Sequence, residues 1–101
     1  MKRPQIVNKI SELLHGIVPT AKVILYGSEA RGDADKDSDI DILIVHENTD
    51  PELQRKITDR LLDIEIDNNI CISSYIVSDS WWNRKPLTPF LINVRNEGIV
   101  I

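Results

Sequence analysis

The sequence contains only one cysteine, Cys71, so no disulfide bond can join two parts of the chain. This scarcity is typical of a reducing compartment. The sequence also lacks an apolar run long enough to span a membrane, and its start, Met1-Lys2-Arg3-Pro4, leads into mixed polar and apolar residues rather than a signal peptide. We therefore expect a cytoplasmic protein without a membrane segment.

Basic residues are too few for a general nucleic-acid binder. The 12 lysines and arginines are outnumbered by 16 aspartates and glutamates, which gives a formal net charge of −4. Such a chain has no basic excess to place against a phosphate backbone, although a local cationic pocket is compatible with it. The length of 101 residues predicts a single domain, residues 1–101. So small a core is marginal, and association with a partner or as a homo-oligomer would suit it.

The hydrophobic pattern predicts both helices and strands. Helical spacing in two segments predicts two amphipathic helices, the first with Ile6, Ile10, Leu13, Leu14 and Ile17, and the second, after Asp50-Pro51, with Leu53, Ile57, Leu61 and Ile64. Apolar, β-prone runs predict strands at 23–26, 40–45 and 70–77, and Thr88-Pro89 begins a last helix that Gly98 ends. The order predicts an α/β fold with a small mixed β-sheet packed by helices.

Asp39 and Asp41 are the first candidate for chemistry. Residues two apart in a strand share one face, with Cα atoms roughly 6–7 Å apart, so these carboxylates can converge on one divalent cation or on two close ions. Ile40 and Ile42 then point into the core and fix the register. Two adjacent acids would repel each other without a cation. Magnesium is the natural ion to neutralise them.

The turn Gly27-Ser28, at the end of the preceding strand, is the second candidate. Glycine permits a backbone conformation that other residues avoid, and exposed N–H groups together with the Ser28 hydroxyl can cradle a phosphate. Arg31 is placed either to contact that phosphate or to form a structural ion pair. A phosphate cradle and a metal site on consecutive strands are the two halves of a site for Mg-NTP.

These residues resemble a known signature. Gly27-Ser28-x-Ala30-Arg31-Gly32, followed by Asp39-x-Asp41, resembles that of the minimal nucleotidyltransferases (MNT) of the DNA polymerase β-type superfamily. The resemblance implies the polymerase β-like fold, transfer of a nucleotidyl group from ATP or another NTP, and one or two Mg²⁺ ions. It places the metal on Asp39 and Asp41 and the triphosphate on Gly27 and Ser28. It further implies a HEPN-domain protein partner in a toxin–antitoxin pair, and a hydroxyl acceptor on that partner.

The sequence departs from this signature at one point. Active members usually carry a third acid on the next strand, but the segment 70–77 has none, and Cys71 occupies the aligned position. Glu65 or Asp67, just before the strand, could substitute. A second hypothesis therefore stands beside the enzyme: an antitoxin that acts by protein–protein contact and binds nucleotide with little or no transfer.

Other interpretations of the same residues are simpler. The alternating acids from Asp33 to Asp41 resemble a calcium loop, but its sixth and twelfth positions hold Ser38 and Ile44 instead of glycine and glutamate. Several residues are expected to have structural roles only: a solvated loop for 33–37, surface or packing for His15, a strand end for His46, burial for Cys71, and core cover for Trp81 and Trp82. The apolar segment 99–101 is expected to pack on the domain or to join an interface.

Overall fold

The computed structural model describes residues 1–83 and 88–101. Its elements, in chain order, are α1 (Pro4–Ile17), β1 (Lys22–Tyr26), α2 (Gly27–Arg31), β2 (Ile40–Val45), α3 (Pro51–Asn68), β3 (Ile72–Val77), α4 (Asp79–Trp82), α5 (Pro89–Glu97) and β4 (Ile99–Val100). The predicted α/β class is confirmed. No helix within the described ranges is long and apolar enough to cross a membrane.

The strands form one mixed sheet in the order β3-β2-β1-β4. β2 pairs parallel with β3 and antiparallel with β1, while β4 pairs antiparallel with β1. A parallel pair needs a crossover between its strands, and α3 provides it. The small mixed sheet that the sequence predicts is therefore present, with β1 and β2 at its centre.

The two faces of the sheet are covered unequally, because alternate strand residues point to opposite sides. One face is packed by α1 and α3, and its buried core includes Val7, Ile10, Leu14, Val23, Leu25, Ile40, Ile42, Ile44, Ile57 and Leu61. The other face holds a smaller cluster of Ile24, Tyr26, Leu43, Val45 and Val94, with Trp81 and Trp82 packed against it. Asp41 pairs with Tyr26 across the strands and so shares this second, less covered face.

The end of the chain forms β4, so the segment 99–101 pairs with the domain; Ile101 packs on the core, while the side chains of Ile99 and Val100 are exposed. Ile99 and Val100 pair with β1, and the backbone N–H of Ile101 donates to the carbonyl of Val23 at 2.9 Å. His15 places its Nε2 atom 3.0 Å from the carbonyl oxygen of Ile101. Helix α1 thereby contacts the chain end through the histidine that the sequence predicts to have a surface or packing role.

The start of β3 differs from the prediction. The strand begins at Ile72, because α3 ends in a turn in which Asn69 has a φ of 52° and Ile70 donates its N–H to the carbonyl of Glu65. The predicted burial of Cys71 is wrong, since this residue is exposed. It lies just before an edge strand, where no helix covers it, although its carbonyl accepts the N–H of Ile40 at 3.0 Å.

Two adjacent leucines on α3 test the assignment of the core. Leu61 is 1% exposed and Leu62 is 50% exposed. Leu61→Ala should lower the free energy of unfolding by about 2–5 kcal/mol, because it removes packed methyl groups and leaves a cavity. Leu62→Ala should change it by roughly 0.5 kcal/mol or less. Urea denaturation of both variants measures the difference, and equal losses would contradict this packing of α3.

Candidate active site

Gly27 and Asp41 lie close together in the candidate site. β1 and β2 pair with Tyr26 opposite Asp41, so the residue after Tyr26 turns directly beside the carboxylate. Gly27 has a φ of 75°, and a Cβ atom at this position would lie 2.3 Å from Oδ2 of Asp41. Any other residue would be strained by the backbone conformation and would collide with the acid. The glycine turn and the second aspartate are therefore in direct contact.

The two aspartates lie on the same side of the sheet. Ile40, between them, is fully buried on the helix-covered face, and the strand alternation places Asp39 with Asp41 on the other. Burial, followed by the charge of Asp39, raises the pKa of Asp41. The same neighbourhood acts on Tyr26, whose pKa rises to about 12 through burial and through Asp41 and Tyr75. A cation held between the two carboxylates would relieve this unfavourable charge.

Gly27 and Arg31 already hold an anionic group, the carboxylate of Glu97. The backbone N–H of Gly27 donates to Oε1 of Glu97 at 3.1 Å, and Nη1 of Arg31 donates to Oε2 at 3.0 Å. Arg31 also donates through Nε to Asp33 at 3.2 Å. Both bonds, that to Glu97 first, raise the pKa of Arg31. Of the two predicted roles for Arg31, the structure shows the ion pair.

Sequence reasoning misses Glu97. It lies at the end of α5, seventy residues from Gly27, and no local motif marks it. The short pairing of β4 with β1 brings it to the site, since Gly98 packs so tightly that a Cβ there would lie 2.7 Å from Ile24. Ser28 is half-buried in α2, directly after Gly27.

The neighbouring strand β3 brings no third acid to the aspartates. Ser73 is the residue paired with Asp41. Glu65 accepts the backbone N–H of Ile72 at 3.2 Å, and Asp67 is exposed on α3. Within residues 1–83 and 88–101, no group of three or more acid, histidine or cysteine side chains could hold a metal ion. The structure thus places neither Glu65 nor Asp67 in a three-acid cluster.

A buried ion pair, which the sequence does not indicate, stabilises the segments that carry the site. Glu29 of α2 is fully buried and accepts the N–H groups of Lys2 and Arg3. Nε of Arg3 donates to Oε1 of Glu29 at 2.6 Å, and Nη2 of Arg3 donates to the carbonyl of Ser38 at 2.8 Å. Since Ser38 precedes Asp39, this pair connects the start of the chain, α2 and the loop that leads to the aspartates.

Comparisons with known proteins identify similar chains. The nucleotidyltransferase domain family matches residues 5–98. A protein of Methanocaldococcus jannaschii, provisionally named a protein adenylyltransferase, is 34% identical over 97 residues, which cover 96% of this chain and 91% of that protein. A solved structure, provisionally described as a minimal nucleotidyltransferase, matches with a TM-score of 0.65 at 24% identity, over 100% of this chain and 97% of the other.

The chain therefore belongs to the nucleotidyltransferase domain family. Its architecture, a four-stranded mixed sheet with helices on both faces, is the minimal nucleotidyltransferase fold. The glycine-serine turn and both aspartates lie inside the matched range.

Glu29 provides a test of the buried pair. Burial raises the pKa of Glu29, but hydrogen bonds from Arg3 and Lys2 outweigh it, so the net pKa is lowered. The charged pair therefore stabilises the fold above the pKa of an unfolded glutamate, and this stability is lost as the pH falls through the lower folded value. Glu29→Gln should cost about 3 kcal/mol at neutral pH, because Arg3 stays buried without its partner charge.

The measurement is urea denaturation of the wild type and of Glu29→Gln at neutral pH and at successively lower pH. The difference in the free energy of unfolding between the two proteins should narrow as the pH falls. Glu47→Gln, which neutralises an exposed glutamate, is the control and should show a small change at every pH. A gap that stays constant with pH would show that the charge of Glu29 does not carry the stability.

Proposed function

We propose that this protein binds Mg-NTP, with ATP as the nucleotide, and transfers the nucleotidyl group to a hydroxyl group on a protein. The observation that carries the proposal is the contact of Gly27 with Asp41, beside Asp39. It juxtaposes a backbone turn suited to phosphate with two carboxylates suited to a metal ion. An NTP bound to Mg²⁺ presents both of these groups at once.

The binding of Glu97 supports a phosphate role for Gly27 and Arg31. A carboxylate is an oxygen anion, and here it stands in for a phosphate oxygen: it accepts one bond from the Gly27 N–H and one from the Arg31 guanidinium. A triphosphate carries more charge and more acceptor oxygens than a carboxylate. We propose that the β- and γ-phosphates displace Glu97, and that Ser28, the next residue, adds its hydroxyl.

The donor set suits magnesium. Asp39 and Asp41 offer hard carboxylate oxygens, and their mutual repulsion favours a cation between them. Mg²⁺, as one or two ions, would when bound supply charge stabilisation to the phosphoryl group under attack. The role of the protein side chains is to fix the position of that charge. In support of this role, β2 pairs with β1 at Asp41, and Asp39 lies two residues earlier, just before β2 begins.

The transfer itself is a displacement at the α-phosphorus. The acceptor hydroxyl oxygen forms a bond to that phosphorus, and the bond to the β-phosphate oxygen breaks. Pyrophosphate leaves with the bonding electron pair, while the hydroxyl proton passes to solvent or to a base on the acceptor. The relative provisionally named a protein adenylyltransferase supports AMP as the group and a protein as the acceptor. We propose a HEPN-domain protein as that partner, on the resemblance of the motif.

A second function has its own observation. Within the described residues, no third acid joins Asp39 and Asp41 in a group that could hold a metal ion. Two acids suffice to hold Mg-NTP, but they leave less negative charge to retain a second ion. A protein that binds nucleotide and acts on its partner by contact alone is therefore the alternative proposal.

Substitution of Asp39 distinguishes the two proposals. Asp39→Asn keeps the size of the side chain but removes the charge, so the affinity for Mg-ATP in calorimetric titration should fall about tenfold or more. With labelled ATP and the partner, the enzyme predicts label on the partner that this variant loses. A complex that survives Asp39→Asn, without label in either protein, selects the contact function.

Asp37→Asn is the matched control, because Asp37 is an exposed acid two residues earlier. It changes the net charge in the same way and should leave the affinity for Mg-ATP unchanged. If the wild type and the double variant Asp39→Ala/Asp41→Ala bind Mg-ATP equally, the metal assignment is wrong.

Glu97 provides a further prediction. If its carboxylate competes with the triphosphate, Glu97→Gln should raise the affinity for Mg-ATP. The increase should be only roughly two- to fivefold, because the ion pair between Arg31 and Glu97 is exposed and solvent screens it. Asp33→Asn removes the other carboxylate from Arg31 without touching Gly27, and it should raise the affinity less. Calorimetric titration measures both. Weaker binding by Glu97→Gln would mean that Glu97 helps to hold the nucleotide.

A further inference from the structure

An aromatic cleft lies on the same face of the sheet as the aspartates. It has a volume of about 360 Å³ and is lined by Leu43, Tyr75, Ile76, Val77, Trp81 and Phe90. The chain has only five aromatic residues, and three of them line this cleft. Phe90 also packs edge-on against a fourth, Tyr26, with ring centroids 5.6 Å apart. Aromatic side chains are thus concentrated at one place in a chain that has few.

These aromatic side chains are only partly buried. Tyr75 is 59% exposed and Phe90 is 43% exposed, whereas the core residues around them are buried. Trp81 lies 6.1 Å from Phe90, centroid to centroid, with its ring tilted to that of Phe90. Open aromatic faces around a concave surface are suited to a flat aromatic ligand.

The cleft continues the proposed nucleotide site along the strands. Leu43 follows Asp41 by two residues on the same face of β2, a distance of about 7 Å. On the adjacent strand, Ser73 pairs with Asp41 and Tyr75 pairs with Leu43. The face therefore changes along its length, from the glycine turn through the aspartates and Ser73 to aromatic rings.

A nucleoside triphosphate has the same order of groups. Its β- and γ-phosphates lead to the α-phosphate, then to a polar ribose and finally to a flat base. With the phosphates at Gly27 and the α-phosphate at Asp39 and Asp41, one ribose length brings the base over Leu43 and Tyr75. We propose that the aromatic cleft is the nucleobase subsite, where the base stacks on Tyr75; this inference rests on the proposed function.

The test compares two ligands that differ by the nucleoside. Mg-ATP has a base, and Mg-tripolyphosphate has only the phosphates. Tyr75→Ser should weaken the binding of Mg-ATP about tenfold or more, because base stacking is lost, and should leave the affinity for Mg-tripolyphosphate unchanged. Tyr75→Phe keeps the ring and should retain the affinity for Mg-ATP. Tyr75 is exposed enough for these variants to fold.

Ile66→Ser is the matched control, since Ile66 is 69% exposed on α3, away from the cleft, and loses a comparable apolar surface. It should bind both ligands as the wild type does. If the wild type binds neither ligand, the proposed function fails and the inference fails with it. If the wild type binds both and Tyr75→Ser weakens neither, or weakens both equally, the subsite is wrong while the phosphate site stands.

The fluorescence of Trp81 at saturating ligand gives a second measurement of base binding, and it does not depend on affinity. Trp82 lies outside the cleft, with the charged groups of Lys22 and Arg95 near its ring, and Trp82→Phe leaves Trp81 as the sole tryptophan. Saturating Mg-ATP should quench Trp81 in this variant, because the base enters its cleft. Saturating Mg-tripolyphosphate should not. An equal response to both ligands would overturn the subsite.

Discussion

The contact between Gly27 and Asp41 is the constraint on which the candidate site depends. A Cβ at position 27 would lie 2.3 Å from the carboxylate oxygen of Asp41, far inside van der Waals contact, so Asp41 packs directly against the backbone of Gly27. This contact follows from the antiparallel register that sets Tyr26 opposite Asp41. A shift of one residue would turn both aspartates into the helix-packed core. The apolar residues of β1 and β2 therefore hold the site in place by resisting such a shift.

The same register divides the sheet into a helix-packed face and a face that carries the candidate site. α1 and α3 pack on the first face, where Ile40, Ile42 and Ile44 are fully buried. The second face is covered only in part, so it can expose carboxylates and aromatic rings without loss of the core. A small chain gains from this division, because one well-packed face supplies most of the apolar burial. The other face is then available for a ligand.

The fold and the paired acids could be predicted because their signals are local. Period-two alternation predicts the side of the sheet on which Asp39 and Asp41 lie, and helical spacing predicts α1 and α3. Glu97 and Glu29 could not be predicted, since each reaches the site through contacts between residues distant in the sequence. The exposure of Cys71 was missed for a related reason: burial depends on which strand lies at the sheet edge, and strand order is not a local property.

The long-range contacts also determine the charge of the site. A glycine turn alone offers neutral donors, and Arg31 would add a positive charge, but Glu97 and Asp33 offset that charge with two carboxylates. The N–H of Gly27 donates to Glu97, which avoids the cost of an unpaired backbone donor. Under the proposed function, the nucleotide exchanges one anion for another at this turn. Under that proposal, the β4 pairing that positions Glu97 supports the fold and at the same time places a carboxylate that competes with the nucleotide.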